Sequence, residues 1–160
     1  MPHTTHKPLS GIVRVCLPVA LLVTLTSACQ SVPPGMGEDL QALQGHWEGQ
    51  GPGGAVAITI AGDSLDYTQP TPDPDDEEFW FGTTFVLWPD VEPKQLHATI
   101  RGNNSPGEPH LGTVVVTLFE LDGGTLDLRV VDDYLEPPEG PVTADWERTT
   151  DRFVLERAAQ

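Results

Sequence analysis

Cysteine is nearly missing from this chain of 160 residues, which holds two, Cys16 and Cys29. Both fall near the N-terminus, so the long remainder can build neither a disulfide nor a thiolate metal site. Positive charge is scarce as well: eight Lys and Arg stand against 24 Asp and Glu. So few cations cannot balance the phosphates of nucleic acid or seat a domain on an anionic bilayer. No uncharged apolar run reaches the roughly 20 residues that a spanning helix needs. A nucleophile elbow, a phosphate loop, a His-Glu-x-x-His motif and a Cys pair are all lacking. The reading is therefore of no cofactor, no metal, no nucleic-acid partner and no enzymatic site.

What is there begins with an export signal. A weakly basic segment (Lys7, Arg14) without an acid precedes Val15 to Thr26, an uncharged run of about a dozen residues, short enough for a signal-peptide core. Thr26-Ser27-Ala28-Cys29 follows, small residues leading into a cysteine. The stretch resembles a bacterial lipoprotein signal, although Thr26 stands where leucine is usual and Leu25 lies one step back. The resemblance implies cleavage after Ala28, lipid on Cys29, and a place in the cell envelope with the membrane as partner. An ordinary secretory cut would fall at the same bond and leave Cys29 a bare thiol. Residues 1–28 are thus expected to be a signal peptide and 29–37 a lipidated Cys and tether (QSVPPGMG), reaching about 25–30 Å at full extension. Residues 38–160 are expected to form one domain. Lys7 and Arg14 leave with the signal, so six basic residues face 24 acidic ones, a formal charge of −18. Such a charge keeps a domain soluble through self-repulsion.

Glu38 to Gln44 suits one or two helical turns, with Leu40 and Leu43 on one side. Beyond it the period is two. Val56, Ile58 and Ile60 alternate with Ala57 and Thr59, and Leu65 to Thr68 returns after the turn at 61–64. The acidic stretch Gln69 to Glu78 reads as a loop. Phe79 to Trp88 is an aromatic strand with Gly82 at a bulge or bend. Leu96, Ala98 and Ile100 alternate in the next strand, and Gly102 to His110 forms another loop. Leu111 to Leu121 and Thr125 to Val131 make a hairpin across Asp122-Gly123-Gly124. A Pro-rich stretch, 132–143, then leads to a last strand, Arg152 to Arg157. With a strand at His46 to Gly49 the total is about eight, which predicts an all-β, antiparallel up-and-down barrel with a short N-terminal helix. A β-sandwich is the rival.

Leu43-Gln44-Gly45-His46-Trp47 opens the domain, and its Gly-x-Trp resembles the lipocalin signature. More closely, the chain resembles a lipocalin-like bacterial family known mainly from planctomycetes. Four stretches carry this: Leu43 to Trp47, Pro93-Lys94-Gln95-Leu96, Asp122-Gly123-Gly124-Thr125-Leu126, and Leu155-Glu156-Arg157. His97 departs from the acid often found there, and an Arg-Pro before the last strand is replaced by Glu147-Arg148-Thr149. The resemblance implies structural barrel closure by Gly45, Trp47 and Arg157, the Arg lying over the indole. It implies no biochemical activity.

The remaining chemistry is thin. His46, His97 and His110 have no ligand spacing, and Asp73, Asp75, Asp76, Glu77 and Glu78 lack the glycine and spacing of a calcium loop. No pair of carboxylates stands out for glycoside cleavage. Two roles are left. One is a solid-cored structural or interaction domain, filled by Trp80 or Phe81, Phe85, Leu118, Phe119 and Phe153. The other is a carrier of a small apolar ligand inside a barrel that opens on the loops 70–76 and 102–110.

Overall fold

The computed structural model describes residues 36–71, 77–105 and 110–159. The expected signal peptide, Cys29 and the expected tether through residue 35 lie outside these, as do Asp73, Asp75 and Asp76. The described chain runs α1 (Met36–Leu43), β1 (Gly45–Gly51), β2 (Gly54–Ala61), β3 (Ser64–Gln69), β4 (Phe79–Trp88), β5 (Gln95–Asn103), β6 (Val114–Asp122), β7 (Thr125–Tyr134), the 3-10 turn η1 (Trp146–Arg148) and β8 (Arg152–Arg157). Each strand pairs antiparallel with the next, and β8 returns to β1, so the eight form a closed barrel. A closed ring rather than two stacked sheets settles the rival architecture. Full closure leaves no strand edge open. α1 begins two residues before the expected helix, so Met36 and Gly37 belong to it and not to the tether.

Alternation decides what fills the barrel. Val56, Ile58 and Ile60 of β2 are buried, as are Leu65 and Tyr67 of β3 and Phe85 and Leu87 of β4. The β4–β5 register shifts between Gly82 and Thr83, the place where the sequence indicated a bulge. Inward positions run unbroken along β4 through Phe81, Thr83, Phe85 and Leu87, so Phe81 packs against the core while Trp80 faces out and is 41% exposed. Two inward polar groups are satisfied by backbone: Thr83 Oγ1 donates to the Leu65 carbonyl at 2.9 Å and Thr117 Oγ1 to that of Leu96 at 3.1 Å. Polar atoms inside a barrel are tolerated only when bonded in this way.

The β1–β8 seam is tight. A Cβ on Gly49 would lie 2.1 Å from the Val154 carbonyl oxygen and 2.8 Å from Leu155 Cα. Backbone of β8 fills the space where any side chain would go. A glycine in mid-strand thus marks close backbone approach.

One wall is covered on both faces, which alternation alone does not foresee. Val114, Val116 and Leu118 point outward from β6, beside the outward Thr99, His97 and Gln95 of β5. All but Thr99 are nonetheless buried. The Pro-rich segment 135–150 lies across them as a strap. Val142 is fastened to Gln95 at both its polar atoms: Gln95 Nε2 donates to its carbonyl at 2.7 Å, and its N–H donates to Gln95 Oε1 at 2.9 Å. Further on, the Arg129 guanidinium stacks 4.8 Å from the Trp146 ring. Burying an aliphatic side chain contributes about 1.5–3 kcal/mol, so covering Val114, Val116 and Leu118 offsets part of the cost of ordering the strap. Leu118 therefore belongs to this outer layer, not to the interior where it was expected. The hairpin's first arm is also shorter than its β-rich run: Leu111 is 67% exposed and the strand starts at Val114.

Candidate functional site

The barrel has two dissimilar ends. At one, Trp47 is fully buried and its Nε1 donates to the Leu43 carbonyl at 2.8 Å, tying β1 to α1. The Arg157 guanidinium lies 4.1 Å over the indole and donates to the carbonyls of Gln44 and Ala42. Those carbonyls end α1 without helical partners, and a cation there answers both the open acceptors and the helix dipole. Gly45 makes the arrangement fit: a Cβ would sit 2.7 Å from Arg157 Nη1, and its φ of +128° is one that other residues rarely adopt. The Gly-x-Trp spacing thus has a mechanical reason. Lys94 meets Asp39 of α1 at 2.8 Å, and the Arg157 N–H reaches the Gly124 carbonyl at 3.1 Å. All four stretches singled out in the sequence converge on this end. The barrel mouth here is plugged by its own groups, and beside it lies a separate concavity of about 450 Å³ lined by Glu38, Asp39, Lys94, Glu120 and Trp146 among others.

The opposite end, where β3, β5 and β7 run out and β4, β6 and β8 begin, holds an open cup of about 480 Å³. Its floor is aromatic. Tyr67 and Phe81 stack at 4.6 Å, and Phe153 meets Tyr67 edge-on at 6.0 Å. Its rim carries Asp132, Asp133 and Asp151 with Thr150. Burial, aided by the nearby Asp151 charge, pushes the Tyr67 hydroxyl above its ordinary range. The group therefore stays a neutral donor, here to Gln69 Oε1 at 2.8 Å. Beneath the aromatic layer a second space of about 80 Å³ is walled by apolar residues such as Ile58, Leu65, Leu96 and Leu128. Ligand pockets run to roughly 300–1,000 Å³, so the interior is filled and the cup is of ligand size.

The histidines stand in separate settings. His46 bonds Thr59 Oγ1 and Glu48, His97 contacts Gln95 Oε1 at 3.0 Å under the strap, and the His110 carbonyl accepts from Thr113 in a mouth loop. Burial lowers the His97 pKa, favouring its neutral ring. Among the described residues no group of three His, Cys, Asp or Glu side chains is placed to hold a metal ion. Sequence reasoning missed the cup's floor and rim as a unit. Their signal was faint: Tyr67, Phe81 and Phe153 are inward positions near strand ends, and Asp132, Asp133 and Asp151 flank the Pro-rich stretch.

Comparison of the chain with family models, with curated proteins and with solved structures gives no match.

Proposed function

We propose that this chain is an envelope lipoprotein whose lipocalin-like barrel is a non-enzymatic structural or interaction domain. The filled interior carries the reading, because a space of about 80 Å³ is well below the size of a small-molecule pocket. Gly45, Trp47 and Arg157 then serve to close the barrel, with no part in binding. Thr26-Ser27-Ala28-Cys29 supports the anchor. With α1 starting at Met36, the tether shortens to residues 30–35 and an extended reach of about 20 Å. Because α1 caps the closed end, it lies at the end of the barrel opposite the cup.

Mass spectrometry of the membrane fraction should find an N-terminal peptide that begins at acylated Cys29. Unmodified Cys29 in a soluble fraction would refute the anchor. Native mass spectrometry of the purified protein should show the mass of the acylated polypeptide with no non-covalent adduct. A stoichiometric lipid-like adduct would instead favour carriage of an apolar ligand inside the barrel.

A further inference from the structure

The cup at the open end combines three properties that point to one ligand chemistry. It is concave and of ligand size, about 480 Å³. Its floor presents Tyr67, Phe81 and Phe153, together with the aliphatic Ile100, Val115 and Val130. Its rim is acidic, and no Lys or Arg is among the residues that line it.

That last property follows from where every described cation is spent. Lys94 pairs with Asp39, Arg101 with Thr84, and Arg148 with Asp145. Arg129 and Arg152 both hold Asp127, and Arg157 holds the carbonyls at the closed end. These are all six basic residues beyond position 28, and each is bonded to a residue outside the cup. With no Lys or Arg among its lining residues, the mouth takes the sign of its carboxylates, and a concave site between low-dielectric walls concentrates such a field. Anionic ligands are repelled from it. A neutral apolar ligand would find the floor but gain nothing from the rim. A cation with an apolar body answers both, since aromatic surface and carboxylates each attract it.

We propose that the cup is a binding site for a small organic ammonium, a protonated amine whose apolar portion rests on the aromatic floor while its charge meets Asp132 and Asp151. The floor residues Tyr67, Phe81, Val115, Val130 and Phe153 also roof the 80 Å³ space below, so a short alkyl chain reaches further apolar surface where Phe81 and Phe153, both half-buried, give way. This site does not depend on the lipid anchor or on the filled interior.

Three probes of equal length separate the contributions: hexylammonium, hexanol and hexanoate, titrated calorimetrically into the purified protein. Hexylammonium should bind one-to-one and weaken as salt is raised. Hexanol should bind about tenfold less tightly and hexanoate not measurably, as follows from removing and then reversing the charge. The double variant Asp132→Asn with Asp151→Asn should lose about tenfold for hexylammonium and leave hexanol unchanged. Both residues are exposed, so the fold survives the change. Glu120→Gln, at the closed end, should bind like the parent. Absent hexylammonium binding, equal binding of all three probes, or unchanged affinity in the double variant would each overturn the site.

Discussion

Gly49 and Arg157 act on the same seam from different sides. The backbone of β8 occupies the place of a side chain at Gly49, so Gly49→Ala forces two strands apart instead of moving a flexible neighbour. Overpacking of this kind costs about 1–3 kcal/mol. Urea unfolding should show the loss, with amide exchange rising first at Val154 and Leu155. Arg157→Lys keeps the charge but replaces a planar fork with a point donor, giving up one of two carbonyl bonds and the stacking over Trp47. A loss of about 1–2 kcal/mol in the same assay is expected. The sequence pointed to Arg157 and Trp47 only through the resemblance of Gly45-His46-Trp47 and Leu155-Glu156-Arg157 to the lipocalin pattern, since no local period links the two. Gly49 was not legible, since a glycine at a strand's apparent end is ordinary until the neighbouring strand is known.

Among the elements the strap is the one that chain pattern least disclosed. Most strands announce themselves by alternation, as β2 does with Val56, Ile58 and Ile60. A Pro-rich stretch between strands resembles any surface loop, and its packing on β5 and β6 leaves no period in its own residues. The trace lies in its partner: Val114 to Phe119 is buried at every position but Val115, the mark of a strand covered on both faces. Gln95 is the clasp. Gln95→Ala strands the N–H and carbonyl of Val142, a cost of about 1–3 kcal/mol where such groups stay dry. Hydrogen exchange at Val142 should accelerate far more than exchange in β2 or β3. Equal acceleration throughout would mean that strap and barrel melt as one unit.

For the molecule as a whole, acid is the informative perturbation. Burial acts to raise the Asp127 pKa, but hydrogen bonds and charges from Arg129 and Arg152 outweigh it and hold the carboxyl below its usual value of 3.8. The unfolded chain therefore takes up this proton first. The stabilisation is complete above about pH 3.8 and is lost as pH falls through the folded-state value. Melting temperatures of the parent and of Asp127→Asn should differ at neutral pH and converge in strong acid. His97 adds the same sign in a higher window, its lowered pKa costing stability as pH drops below 6.5. Strand count made a barrel readable, while its choice over a sandwich rested on a pairing no local pattern reports. That pairing joins only Trp47 to Gln50 with Val154 to Arg157, the stretches most distant in the chain. Closing so long a loop is entropically the dearest step, whereas the β6–β7 hairpin needs only a tight turn. Folding should accordingly proceed from hairpins inward in time, with the ring completed last. Until then β1 and β8 stand as two unpaired borders, each a template for a second copy's strand.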